Sequence, residues 1–206
     1  MTSAERAELR RAKAAPAAPP QATLILEQAA QAFADRGYAA TSMSELAAAC
    51  GVSKALLYHY YDSKDAMLFD LLDRYMKRLL AIVDAVNARR LEPREHLRAL
   101  VRAFLAEYES SRVRHVALVN DARLLADSQR ARITAHERKV VAAYADAIAR
   151  AYPEITAAKR KPTAMLLFGM INWTFTWLKP DGKMSYADYA ELVIAAIERG
   201  FKGIAA

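Results

Sequence analysis

Apolar residues recur along this chain at intervals of three and four, in runs the length of helices. Leu26, Ala29, Ala30 and Phe33 fall at i, i+3, i+4 and i+7, which predicts a first helix over residues 22–35 with one apolar stripe. Gly37 ends it, because glycine accepts the left-handed backbone that closes a helix. A second helix starts behind Ser42, with Glu45 three residues on to complete a capping box. It turns Met43, Leu46, Ala47 and Cys50 to one side. Gly51 makes a turn, and Ser53 caps a short third helix that reaches Tyr60. Met67, Leu68, Leu71, Leu72, Tyr75 and Leu79 then mark a long fourth helix, capped by Asp62 or Ser63 and over before Pro93.

The same spacing predicts further helices over residues 94–109, 113–126, 129–152, 163–178 and 185–200. Leu97, Val101, Phe104, Leu105 and Tyr108 face inward on the first of these. A basic loop, 159–162, leads into helix 163–178, and a turn at 180–182 follows it. Asp188 boxes Ser185 at the start of the last helix. The stretch 164–178 is the most apolar of the chain. It falls short of the ~20 residues that cross a bilayer, and Asn172 interrupts it. It is therefore expected to be buried all round, with Gly169 allowing close helix approach.

These elements make an all-α chain of about nine helices. A three-helix module over 21–70 contains a helix-turn-helix at 43–62, and a larger helical body fills 71–206. Residues 1–20 are rich in Ala, Arg and Pro, have little to bury, and are expected to form a disordered basic tail. The bulk numbers agree. At 206 residues there is room for a small module and one ordinary domain. A hydrophobic content of 54% supplies a core, and six glycines and seven prolines leave long helices uninterrupted. The one cysteine, Cys50, cannot staple its own chain and reads as a small buried hydrophobe. No secretory leader is visible, so a cytoplasmic protein without membrane segments is expected.

Charge changes the picture more than composition does. The net charge is +7, yet residues 20–80 carry six Lys/Arg against seven Asp/Glu, and residues 81–206 carry twenty against fourteen. A nucleic-acid-binding role for the small module must therefore rest on a few placed groups rather than on a basic field. Enzyme chemistry finds no support. His59, His96, His115 and His136 are scattered, and there is no His-Glu-x-x-His, paired cysteine, Gly-x-Ser-x-Gly, Ser-x-x-Lys or glycine-rich phosphate loop. No catalytic residue, metal ligand or cofactor is assigned.

The short third helix carries chemistry suited to DNA. With Leu57 and Tyr61 inward, Lys54, Ala55, Leu56, Tyr58, His59 and Tyr60 occupy its remaining faces. Lys54 suits a guanine edge or a phosphate, Ala55 and Leu56 suit thymine methyls, and Tyr58, His59 and Tyr60 are flat donors. Ser42 and Ser44 at one helix start, and Lys64 at another, suit phosphates.

The string ILEQAAQAFADRGYAATSMSELAAACGVSKALLYHYYDSKDAML resembles the DNA-binding domain of the tetracycline-repressor-like (TetR) family over residues 22–72. Phe33, Gly37, Tyr38, Gly51, Leu57, Tyr58 and Lys64 stand at that family's spacing. The resemblance implies a homodimer held through its last two long helices, and a C-terminal domain that binds a small effector. It implies DNA contacts at Ser42, Ser44, Lys54, Ala55, Leu56, Tyr58, His59, Tyr60 and Lys64, on double-stranded operator DNA. Leu56 departs from the small residue many relatives have there. FGMINWTFTWLKPDGKMS resembles a branch that senses coenzyme A thioesters, and SKALLYHYY resembles the phenylacetate-pathway repressors. An acyl-CoA such as phenylacetyl-CoA is then the first effector candidate, and a planar aromatic drug or antibiotic the second; a DNA-binder with no effector is the third reading. Tyr108, Asn120, Arg123, Phe168, Asn172, Trp173 and Trp177 are the candidate pocket residues, and the stripe Arg94, Arg98, Arg102 is a candidate phosphate cluster.

Overall fold

The computed structural model of the chain describes residues 20–179 and 181–205, and among them every regular element is a helix. The basic tail expected over 1–20 lies outside the described residues except for Pro20, as does Pro180 of the expected turn. The chain divides into two compact units between Met67 and Leu68.

The first unit holds α1 (Pro20–Arg36), α2 (Met43–Ala49) and α3 (Lys54–Tyr60). Its boundaries follow local chemistry. Gly37, at φ +84°, closes α1 and donates its N–H to the Phe33 carbonyl at 2.9 Å. The Ser42 hydroxyl accepts the Glu45 N–H at 3.2 Å, while the Glu45 carboxylate accepts the Ser42 N–H at 2.7 Å. Gly51, at φ +64°, lets the chain reverse after α2, with its N–H on the Ala48 carbonyl and that of Val52 on Ala47. Ile25, Leu26, Phe33, Leu46, Leu57 and Met67 fill the core.

α4 (Lys64–Ala88) is capped by Ser63, whose hydroxyl accepts the Ala66 N–H at 3.1 Å. The second unit continues with α5 (Pro93–Ser110), α6 (Arg112–Asp121), a 3-10 turn (Ala122–Leu124) and α7 (Asp127–Ala151). It ends with α8 (Ala157–Ile171), the one-turn α9 (Thr174–Trp177) and α10 (Tyr186–Ala205). α5 packs on α7 and α10, and α8 packs on the same two helices. Phe104, Tyr144 and Phe168 meet edge to face where α5, α7 and α8 converge, with Tyr144 centroids 5.1 Å from Phe104 and 4.8 Å from Phe168. No helix among the described residues is long and apolar enough to cross a membrane.

Helix 163–178 differs from its expectation at both ends. It begins at Ala157, so the basic stretch 159–162 is helical rather than a loop. Pro162 sits in the second turn, where it removes one N–H from the ladder and leaves the rest intact. The helix stops at Ile171, because the Asn172 carbonyl is taken by His115 Nε2 at 2.9 Å and Thr174 bonds back to the Ile171 carbonyl at 2.9 Å. Nor is it buried all round: Met165, Leu166, Trp173 and Trp177 are exposed. A Cβ added to Gly169 would meet nothing within 4 Å, so it serves no close approach within the chain. Similarly, helix 113–126 tightens to a 3-10 turn after Asp121, which sends Leu125 into the core.

Candidate nucleic-acid interface and cavity

α3 is held by its inner face. Leu57 is fully buried and Tyr61 nearly so, and the helix packs on α2 with the opposite side turned outward. Lys54, Ala55, Leu56, Tyr58 and His59 are exposed, and Tyr60 is half-buried with its ring edge-on to His59 at 5.5 Å. The Ser53 hydroxyl accepts the Leu56 N–H at 3.1 Å and fixes where the helix begins. Ser42 and Ser44 are exposed at the start of α2. Ser42 accepts in its capping box, so its hydroxyl proton remains free to donate.

Lys64 does not present a free ammonium. Its Nζ donates to the carbonyls of Tyr38 at 2.7 Å and Thr41 at 2.8 Å, with that of Ala39 at 3.5 Å. It also lies 4.3 Å from the Tyr38 ring centroid, and the Tyr38 hydroxyl bonds Asp65. Two of the three ammonium donors are spent on the short bonds to Tyr38 and Thr41. This side chain, expected to contact DNA, ties the 38–41 turn to the start of α4. Cys50 is half-buried with Sγ 3.7 Å from the Ile25 carbonyl, and burial raises its thiol pKa, which suits a packing residue rather than a reactive one.

The second unit contains a cavity of about 910 Å³. Met76, Leu79, Phe104, Leu118 and Phe168 give it apolar walls. Tyr108, His115 and Asn172 form a polar cluster at its buried side: the Tyr108 hydroxyl donates to Asn172 Oδ1 at 2.9 Å, and the His115 ring stacks on Tyr108 at 3.9 Å. Burial lowers the His115 pKa to about 4, so the ring is neutral. Arg138, Lys161 and Asp146, all exposed, and half-buried Glu137 stand at the rim. Burial raises the Glu137 pKa.

Of the seven expected pocket residues, Tyr108, Phe168 and Asn172 line this cavity. Asn120, Arg123, Trp173 and Trp177 do not. Arg123 donates to the Asn120 carbonyl at 3.2 Å, and Trp173 and Trp177 lie at the surface against Phe175 and Tyr189. The stripe Arg94, Arg98, Arg102 is no phosphate cluster either. Arg98 and Arg102 reach from α5 to Glu198 and Glu191 of α10, each at 2.6 Å, and Arg94 lies over the Tyr152 ring. Sequence reasoning missed His115, Arg138 and Lys161. His115 recurs within an apolar helix period, and the two cations meet at one rim only once α7 and α8 are packed.

The model of the bacterial regulatory proteins, tetR family, matches residues 25–71, which include α2 and α3. That of the tetracyclin repressor-like C-terminal domain matches residues 90–201, more than half of the chain. The chain belongs to the tetR family. A TetR-family transcriptional regulator from Bordetella parapertussis is 36% identical over 89% of this chain and 97% of its own, with a TM-score of 0.84. AibR, solved in complex with isovaleryl coenzyme A and operator DNA, is 29% identical over 85% of this chain and 96% of its own, with a TM-score of 0.77. The HTH-type transcriptional repressor KstR2 of Rhodococcus jostii is 34% identical over 96 residues, which are 47% of this chain and 46% of that protein. The chain spans about half or less of the length of the curated relatives it matches. The family and these relatives are transcriptional regulators, not enzymes.

Proposed function

We propose that this tetR-family protein is a dimeric transcriptional repressor that reads a palindromic operator with α3 and releases it when a coenzyme A thioester fills the cavity. The observation that carries the reading is the cavity itself: about 910 Å³, aromatic and aliphatic within, with Arg138 and Lys161 at the rim. An acyl group suits the apolar interior, and the phosphates of a coenzyme suit the two cations. The likeness to AibR, solved with isovaleryl coenzyme A and operator DNA, supports the same class. Phenylacetyl-CoA fits the aromatic wall of Phe104, Tyr108 and Phe168.

On the DNA side, Lys54, Ala55, Leu56, Tyr58, His59 and Tyr60 would meet base edges and nearby phosphates, with Ser42 and Ser44 on the backbone. Two copies of α3 would occupy successive major grooves about 34–36 Å apart. Pairing through α8 and α10 is supported by apolar side chains both helices leave exposed, among them Leu166 and Leu192.

An electrophoretic shift assay on the DNA upstream of the gene tests the reading. A palindrome should be bound at low salt and released by phenylacetyl-CoA or isovaleryl-CoA, with a rise in melting temperature. Binding to no palindrome removes the repressor. If thioesters leave both readouts unchanged while planar aromatic compounds alter them, the effector class is the drug-like one.

A further inference from the structure

One acid of the cavity wall stands where the fold gives it nothing to bind. On α7, Ile133, Val140 and Tyr144 are buried, and they lie four residues before, three after and seven after Glu137. At the helical period, Glu137 shares their inward stripe. An acid in such a place is ordinarily enclosed and paired. The two carboxylates buried among the described residues follow that rule: Asp73 holds Lys77, Arg132 and His136, and Glu107 holds Arg78 and Ser111. Glu137 does not. It lines the cavity and is only half-buried, and its carboxyl oxygens keep accessible surface. On the inward stripe, that surface faces the cavity. Among the described residues no hydrogen bond or ion pair reaches the group. Burial alone raises its pKa, with no nearby charge to offset it. A half-desolvated acid without a partner destabilises the fold, and an apolar side chain would suit the stripe better. The acid therefore answers to something outside the chain.

Arg138, the next residue, is exposed, so Glu137 is the inward member of the rim. An effector with its apolar end among Phe104, Tyr108 and Phe168 and its anionic end at Arg138 and Lys161 must pass it. We propose that Glu137 accepts a hydrogen bond from an N–H or O–H donor on the segment of the effector that joins those two ends. The inference rests on the cavity being the effector site, and it narrows the ligand. A coenzyme A thioester carries amide N–H groups and a hydroxyl along its pantetheine arm, between the acyl group and the phosphates. A free carboxylic acid brings only acceptors and negative charge to that place, which a carboxylate repels. The class is therefore the thioester and not the free acid.

Calorimetry on the full chain compares the wild type with Glu137→Met and Glu137→Gln. The probes are phenylacetyl-CoA and phenylacetyl-pantetheine, which keeps the arm and lacks every phosphate. Without effector, Glu137→Met should melt higher than the wild type, since an apolar side chain replaces an unpaired acid. Both thioesters should bind the methionine variant about tenfold more weakly, the loss of one hydrogen bond to a charged acceptor. Glu137→Gln keeps an acceptor oxygen and should lose only about threefold. In the wild type, the ¹³C carboxyl signal of Glu137 should titrate at lower pH once phenylacetyl-CoA is bound, because an accepted bond favours the ionised form. That readout needs no variant to fold. A carboxylate that merely borders the phosphates gives the opposite signs: Glu137→Met then binds phenylacetyl-CoA more tightly, and the wild-type carboxyl titrates at higher pH. Those signs, or no change in either readout, overturn the inference and leave the cavity standing as the effector site. A lower melting temperature for Glu137→Met also overturns it, because the acid then has a partner within the protein. If the wild type binds neither thioester, the effector reading of the cavity falls and takes this inference with it.

Discussion

Two lysines of the DNA-binding unit differ in what their ammonium groups meet. That of Lys54 is exposed, 6.0 Å from the Tyr58 ring centroid, whereas that of Lys64 is spent on backbone carbonyls. Lys54→Met should weaken operator binding and reduce the slope of log affinity against log salt by about one, with the melting temperature unchanged. Lys64→Met should leave that slope intact and destabilise the protein by about 1–3 kcal/mol, the cost of stranding carbonyls. A stable Lys64 variant with a reduced slope would restore the residue to the phosphate. His115 makes a second prediction. Its pKa falls from 6.5 to about 4 because burial penalises the charged ring. The unfolded chain therefore takes up a proton that the folded protein refuses between those values. The stabilisation is complete above pH 6.5 and is lost as pH falls toward 4, at about 1.4 kcal/mol per pH unit. Urea unfolding at pH 7 and pH 4.5 should show the wild type losing roughly 2–3 kcal/mol more than His115→Gln. Parallel losses would mean the ring is solvated.

At the scale of elements, the turn between α2 and α3 depends on one backbone conformation. Gly51 sits at φ +64°, and a Cβ there would meet no atom within 4 Å. The cost of Gly51→Ala is then backbone strain alone, about 1 kcal/mol, seen as a lower denaturation midpoint, and Gly51→Val should cost more. An unchanged midpoint in both would show the turn adopting another form. This turn was legible in the sequence because everything that makes it is local: Ser42 with Glu45, Gly51, and Ser53 with the Leu56 N–H. The end of α8 was not. Its stop depends on His115, far away in sequence, bonding the Asn172 carbonyl, and a periodic pattern carries no trace of that partner. The arginine stripe misled for the same reason. Spacing shows Arg98 and Arg102 on one face, but only packing brings Glu198 and Glu191 of α10 onto that face. Trp173 and Trp177 show the converse: an apolar run reads as buried, while its period cannot say whether the chain's own atoms cover it.

The whole molecule that binds an operator is, in our proposal, a pair. Leu166 on α8 is 60% exposed and Leu192 on α10 is 57% exposed, on two helices that pack against each other. Apolar side chains left together in water mark a surface that another surface covers. A single α3 reads one half-site, and joining two converts the second contact into an intramolecular event worth a factor of 10²–10⁴. The double change Leu166→Glu, Leu192→Glu therefore separates assembly from folding. Both positions are more than half exposed, so helix content and melting temperature of the protomer should change little. Two carboxylates facing their own copies across a two-fold axis should repel and leave a monomer in sedimentation velocity. Operator affinity should then fall by at least about a hundredfold, although every α3 side chain is retained. A variant that still sediments as a dimer would move the interface to another face. A monomer that bound the full operator as tightly as the wild type would show that one copy of α3 suffices, and the palindrome would have no physical basis.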